Sequence, residues 1–325
     1  MATESPSPRR VGEGLLNVFL GGIVLAAVFI LAARLSWFAE LFTHFRAQGA
    51  VGGLLLALAF GLLRAPKRAA VAGALALGHV VAVAPAYVPG TPVGDSILGG
   101  LPRFRLVSAN VLTENDAHDA FLSLLRAEAP DVIMVVEVGH HWAAALATLA
   151  DVYPVHVFAP REDNFGVAVL ARDPRTLASI LTCGPAGVPS AQVRLPVGEG
   201  FVSLLMTHPI PPIGRGAAAD RDAQLLDCAK VLAASGGPRV FAGDFNATPW
   251  SPIFGDLRAA SGLLDSRDGF GLQASWMVGF PPFAIPIDHV FHSPDLAVLD
   301  RRVGPEIGSD HRPIITDFAL LPGSP

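Results

Sequence analysis

Charge is scarce in this chain. Only 16% of its 325 residues are Asp, Glu, Lys or Arg, against 51% hydrophobic, and the mean hydropathy is +0.48. Soluble domains carry about a quarter of their residues as charge, so this composition excludes a chain that lies wholly in water and places part of it in a bilayer. Cysteine is almost absent. Cys183 and Cys228 fit no metal-ligand spacing, and they can pair only if the fold brings them together. Basic charge is short in the second half. Residues 1–100 hold seven Lys/Arg and four Asp/Glu, a net of +3, so the chain total of −5 leaves −8 for residues 101–325. Non-specific affinity for a nucleic-acid backbone comes from Lys and Arg displacing counterions, so an acidic second half binds it poorly.

The missing charges define the first region. Residues 14–33, 47–63 and 69–88 are apolar runs with no Asp, Glu, Lys or Arg and with His79 as their only histidine, and each reads as a transmembrane helix. No acid–base pair lies inside them, which removes the usual basis of a transport path. No small-x-small site follows the first run, which argues against a cleaved leader. Between the first two runs, residues 35–45 mix Trp37, Phe38 and Phe42 with Glu40 and His44, a composition suited to an interfacial connector. Arg9 and Arg10 precede the first run, and Arg64, Lys67 and Arg68 lie between the second and third. The other loop has only Arg34 and Arg46. Positive-inside counting then puts the N-terminus in the cytoplasm and residues 101–325 outside it. The expectation is a multi-pass protein of the inner (plasma) membrane with a periplasmic or extracellular C-terminal domain.

Residues 1–88 therefore form a membrane region. Residues 89–100, rich in Pro and Gly, read as a linker, and residues 101–325 as the second domain. There the pattern changes to short apolar runs at 103–108, 131–136, 165–170, 201–206, 239–242, 287–292 and 313–318. Residues 116–128 and 218–234 between them have helical spacing. Strands interleaved with helices indicate an α/β architecture, and about 225 residues suffice for a two-sheet sandwich.

Polar residues close these runs one after another. Asn110 follows the first, Glu137 the second, and His208 the run 201–207. Asp244 and Asn246 follow 239–242, Asp288 precedes Val290-Phe291 in the run 287–292, and Asp310-His311 precedes 313–318. The stretch 241–250, Phe-Ala-Gly-Asp-Phe-Asn-Ala-Thr-Pro-Trp, is the most specific. Gly243 lets a buried strand turn, and Asp244 and Asn246 emerge two residues apart on one face. Gly-Asp-x-Asn alone also describes an Asx turn. Six such positions, each at a strand end, describe a site. Carboxylates, amides and imidazoles gathered at one sheet edge are the composition of a magnesium-dependent phosphate site, with the histidines as proton-transfer or phosphate-binding groups.

Asn110, Val135-Val136-Glu137, Thr207-His208, Gly243-Asp244-Phe245-Asn246, Ile287-Asp288-His289 and Ser309-Asp310-His311-Arg312-Pro313 resemble the endonuclease/exonuclease/phosphatase (DNase I-like) superfamily over residues 101–320. The resemblance implies a four-layered α/β sandwich and Mg²⁺- or Mn²⁺-dependent phosphoester hydrolysis. It implies Glu137 as the principal metal ligand, supported by Asn110 and Asp310. Asp244 would orient or deprotonate the attacking water, and Asn246 would hold the phosphate. His311, partnered by Asp288, would polarise the phosphate or relay a proton, and His208 would stabilise the transition state or protonate the leaving oxygen. Val136 stands where the family commonly has Gln. His208-Pro209-Ile210-Pro211-Pro212 with Arg221 and Gln224 is similar to a bacterial group with N-terminal membrane spans.

The substrate is left open between lipid, small molecule and nucleic acid. Arg161, Arg194, Arg215 and Arg221 are candidates to ring an anionic substrate, each read more simply as part of a solvated face, and Trp250, Trp276 and the 280–283 stretch are candidates to line the mouth, read more simply as packing beneath a loop. A membrane anchor and an acidic domain favour a lipid or small phosphodiester. The alternatives are a tethered endo- or exonuclease and an inactive phosphate-binding module. The lipid bilayer is the expected partner of the N-terminal helices, and no protein partner is expected.

Overall fold

The computed structural model describes residues 8–89 and 99–322, so most of the expected linker lies outside the described residues. It divides into two units, Met1–Pro85 with Trp250–Pro252, and the remainder from Ala86 onward.

In the first unit the apolar runs are helices. Pro8–Leu31 is the first and Arg46–Leu62 the main part of the second. Pro66–Val83 is the third, with proline in its first turn, where a missing N–H costs nothing. Three stretches, Arg10–Leu31, Trp37–Leu62 and Pro66–Tyr87, are long and apolar enough to cross a membrane. The second extends further back than expected. Residues 37–45 do not form a separate connector but are helical, Trp37–Glu40 and then Leu41–Phe45, and run into Arg46–Leu62. Stacking of Phe29 on Phe42 and edge contacts from Phe38 hold that turn against the first helix. The second and third helices approach closely through small residues. A Cβ on Gly53 would come within 2.9 Å of the Ala76 Cβ, and one on Gly49 within 2.6 Å of the His79 ring. His79 is thus a packed helix residue.

In the second unit the solid apolar runs are the central strands of two six-stranded sheets. Sheet one contains β1 (Arg103–Asn110), β2 (Val132–Val136), β3 (Val155–Ala159), β4 (Val167–Ala171), β11 (Leu296–Val303) and β12 (Ile314–Leu320), ordered β11-β12-β1-β2-β4-β3. Sheet two contains β5 (Leu177–Thr182), β6 (Pro189–Val197), β7 (Gly200–Thr207), β8 (Arg239–Asp244), β9 (Leu264–Asp265) and β10 (Asp288–His292), ordered β5-β6-β7-β8-β10-β9. Leu106, Val132, Met134, Val193, Leu204, Val240 and Val290 interdigitate between the sheets. Each such side chain contributes about 1.5–3 kcal/mol. Helices His118–Glu128 and His140–Ala147 cover the outer face of sheet one through Phe121, Leu125, Trp142 and Leu146. Helices Arg215–Ala234 and Pro252–Ser261 cover sheet two through Leu225, Leu232, Phe254 and Leu257. The result is the expected four-layered α/β sandwich.

Register places the polar strand ends. In the parallel pair β1/β2, Asn110 lies opposite Val136, so Glu137 is one residue beyond it. In β8/β10, Asp244 lies directly opposite Asp288. In the parallel pair β7/β8, Met206 aligns with Ala242, which brings His208 level with Asp244.

Candidate active site

The strand ends meet across the two sheets. The Asn110 amide nitrogen donates to Glu137 Oε1 at 2.7 Å and to Asp244 Oδ2 at 3.2 Å, joining a carboxylate from each sheet. His208 Nε2 lies 3.6 Å from Asp244 Oδ2 and 3.9 Å from Glu137 Oε1. His311 Nε2 approaches the same Asp244 oxygen at 3.5 Å, and its Nδ1 donates to Asp288 Oδ2 at 2.8 Å. All of these side chains are buried.

The backbone is bent to make this possible. Glu137 sits at φ 58° and Asn246 at φ 49°, left-handed values that a non-glycine residue holds only when its surroundings enforce them. Asn246 is enforced from three sides. Its N–H donates to Asp244 Oδ1, its amide to the Pro209 carbonyl, and its own carbonyl accepts from Arg221 Nη1 at 3.1 Å. Gly243 is required for another reason: at φ 138° a Cβ there would lie 2.0 Å from the Thr207 carbonyl oxygen.

Burial and neighbouring charge set the ionisation pattern. Burial raises Glu137, a rise that Asp244 adds to, while His208 and the Asn110 amide oppose it. Burial likewise raises Asp244, against the pull of His311. For Asp288 burial acts in the same upward sense, but the adjacent His311 charge and its hydrogen bond hold it below the usual carboxylate range. His311 is the counterpart. Burial lowers it, yet Asp288, Asp244 and Asp310 push it up to about 10, so at neutral pH it is an imidazolium. The site is therefore two reluctant carboxylates facing a fixed cation.

The structure supplies groups that could hold a divalent cation. Glu137, His208 and Asp244 each offer a ligand atom within 4.8 Å of the others, as do Asp244, Asp288 and His311. Glu137 Oε2 is buried without a hydrogen-bond partner. An orphaned carboxylate oxygen beside a second carboxylate is a site a hard cation fits.

Several expected residues sit differently from the sequence reading. Asn110 turns its nitrogen to the carboxylates and its oxygen to the Leu112 N–H, so it orients them and lends no oxygen in this arrangement. Asp310 belongs to neither grouping. It accepts the Trp276 indole N–H at 2.9 Å and lies 4.0 Å from His311 Nε2. Arg221 is completely buried and reaches the Asn246 carbonyl and Asp222, so it braces the loop from behind instead of facing a substrate. The Trp250 indole N–H donates to the Ala82 carbonyl, a contact within the first unit. Arg161 pairs with Asp163, and Arg194 stacks over Phe201. Other supports carried no sequence signal. The Thr113 hydroxyl donates to the Glu137 carbonyl, and Ser275 Oγ accepts the Asp288 N–H. Buried Arg301 bridges Ser266, Gln273 and the Asp288 carbonyl.

The model of the Endonuclease/Exonuclease/phosphatase family matches residues 107–311, from β1 through His311 and thus every strand end described above. The chain belongs to this family. Similar solved folds include an endonuclease/exonuclease/phosphatase from Beutenbergia cavernae, 23% identical, covering 67% of this chain and 72% of that one, with a TM-score of 0.55. D. rerio TDP2 complexed with a single-strand DNA product is 16% identical, covering 67% and 99%, with a TM-score of 0.56. The human Nocturnin catalytic domain with bound sulfate anion is 19% identical, covering 67% and 94%, with a TM-score of 0.53. At these identities the likeness is one of fold. No curated protein matches the sequence. Membership in this hydrolytic family makes the buried carboxylate–imidazole cluster its candidate phosphoesterase centre.

Proposed function

We propose that the protein is a membrane-anchored, divalent-metal-dependent phosphoesterase acting on a lipid or small phosphodiester. The observation that carries the reading is the orphaned Glu137 Oε2 beside Asp244 and His208. Glu137 is the principal ligand for Mg²⁺ or Mn²⁺, with Asp244 adjacent. The bound cation would polarise a phosphoryl oxygen and neutralise charge developing there. Asp244 Oδ2 accepts the proton of the attacking water, because it lies where Asn110 and two imidazoles converge. The remaining Asn246 amide N–H holds a phosphate oxygen. His311 donates from Nε2 to another, its charge fixed by Asp288 on Nδ1. His208 Nε2 stabilises the transition state or protonates the leaving oxygen. Asp310 acts through Trp276 and His311, and Arg221 through Asn246, as positioning residues.

Two features favour lipid. Three apolar helices fit a bilayer anchor. Near the site, Val278 N–H donates to the Asp310 carbonyl, and the adjoining 280–283 turn exposes a stacked Phe280–Phe283 pair. An apolar tip of this kind suits contact with acyl chains. The alternative, a tethered nuclease, draws on the nucleic-acid complex of the similar fold.

The outward orientation is also proposed. Besides the distribution of basic residues, Cys183 and Cys228 form a buried disulfide with Cα atoms 5.4 Å apart. Such bonds persist in oxidising compartments. A reporter fused after Pro325 and read as cytoplasmic would overturn it. The substrate test presents purified full-length protein and Mg²⁺ with sphingomyelin or phosphatidylinositol vesicles, single-stranded DNA and duplex DNA, with Asp244→Ala as the blank. Lipid cleavage lost in the blank is expected. Cleavage of DNA alone would overturn the substrate assignment, and activity surviving Glu137→Ala would overturn the metal assignment.

A further inference from the structure

A second cluster of ligating side chains lies outside the catalytic residues. Asp116, His118 and His141 each offer one ligand atom, all within 4.8 Å of one another. His118 opens helix His118–Glu128, and His141 lies in the first turn of helix His140–Ala147. His141 Nε2 is 2.6 Å from the Thr113 carbonyl oxygen. A carbonyl can only accept, so the proton sits on Nε2, and in the neutral ring Nδ1 is left as a lone pair. Such a contact fixes the tautomer and aim of a metal-binding imidazole. That lone pair accepts a hydrogen bond from His118 Nε2, 2.7 Å away, which a cation held between the two rings would replace.

The frame around these donors is rigid. The Asn115 amide donates to the Val111 and Ile307 carbonyls and accepts the Ala117 N–H. The Trp142 indole N–H donates to the Leu112 carbonyl, and the His118 ring packs edge-on against Trp142 at 4.5 Å. The two imidazoles are partly exposed and Asp116 is exposed, which leaves a path from solvent.

We propose that Asp116, His118 and His141 form a binding site for one transition-metal cation of the Zn²⁺ class, separate from the catalytic centre. Two imidazoles and one carboxylate are the donors of a tetrahedral Zn²⁺ site with one position left for water, whereas Mg²⁺ prefers oxygen alone. Thr113 links this site to the catalytic one. Its carbonyl holds His141, and its hydroxyl holds the Glu137 backbone. An ion here stiffens the loop that supports the catalytic carboxylate.

The test uses full-length protein in detergent carrying Glu137→Gln together with Asp244→Ala, which takes a ligand from both catalytic groupings. It is titrated with Co²⁺, followed by visible absorption, and with Zn²⁺, followed by calorimetry. One equivalent should bind, with the intense bands of tetrahedral Co²⁺. Adding His141→Ala should weaken binding by at least about 100-fold, more than loss of an outer partner costs, and abolish the bands. Should that variant fail to fold by circular dichroism, the exposed Asp116→Asn and His118→Gln serve in its place. Absence of stoichiometric binding in the Glu137→Gln, Asp244→Ala protein, or binding unchanged by these substitutions, would overturn the proposal.

Discussion

Replacing Arg221 by Ala separates a residue that braces the site from one that binds substrate. The side chain has no exposed surface, and its Nη1 donates at 3.1 Å to the carbonyl of Asn246, a residue held at φ 49°. Removing it takes away a hydrogen bond from a charged donor, roughly 1.5–3 kcal/mol. It does so where the backbone already stores about 1–3 kcal/mol of strain. Asn246 then has reason to relax, and it carries the proposed phosphate contact. If the whole loss appears in the transition state, kcat falls about 10- to 150-fold at 1.36 kcal/mol per decade. KM should change little, because the guanidinium is fully buried behind the loop that carries Asn246. Steady-state hydrolysis of a soluble chromogenic phosphodiester gives both constants, and circular dichroism confirms folding. A KM raised tenfold or more with kcat intact would refute the reasoning and return Arg221 to the substrate.

Three further outcomes are expected. Gly243→Ala should destabilise the protein by roughly 3 kcal/mol or more in denaturant unfolding, since its Cβ meets the Thr207 carbonyl at 2.0 Å in a backbone region closed to alanine. Cys228→Ala should cost about 2–4 kcal/mol in the oxidised protein, because the bond closes a chain separation of 45 residues. A melting point equal to that of the wild type would show the bond is not formed. Stability should also fall in acid through His289, which is buried against the Ala247 carbonyl and whose pKa burial lowers to about 4. A histidine depressed in the folded state favours unfolding once the unfolded chain takes the proton. Its contribution is therefore complete above about pH 6.5 and is lost as pH falls from there to 4. At 1.36 kcal/mol per unit the ceiling is about 3 kcal/mol. His289→Gln should flatten that part of the pH–stability curve, and an unchanged slope would contradict the assignment.

The sandwich was legible because its central strands are covered on both faces, and so spell themselves as unbroken apolar runs such as 132–136 and 240–242. The edge strands were not. β3, β5 and β11 keep one side half exposed, and their mixed residues spell no solid apolar run. Strand ends named the site for the same reason. A polar side chain directly after a buried strand can only lie at the sheet edge, and register then pairs Asp244 with Asp288. What escaped was direction. Whether Arg221 faces a substrate or the back of its own loop depends on which side of a helix meets the sheet, and the Asn110 amide is oriented by neighbours from another sheet. Likewise the pairing of Cys183 with Cys228 rests on helix Arg215–Ala234 crossing the end of β5. The His118–His141 contact joins the starts of two helices separated by β2.

The most direct test of the catalytic account measures phosphodiester hydrolysis by the full-length protein after chelation and then on readdition of Mg²⁺, beside Glu137→Gln. Activity should vanish with chelator and return with Mg²⁺, and the variant should be at least about 100-fold slower at any Mg²⁺ concentration, in line with the loss of a ligand. Hydrolysis that persists without metal, or a variant as fast as the wild type, would contradict it.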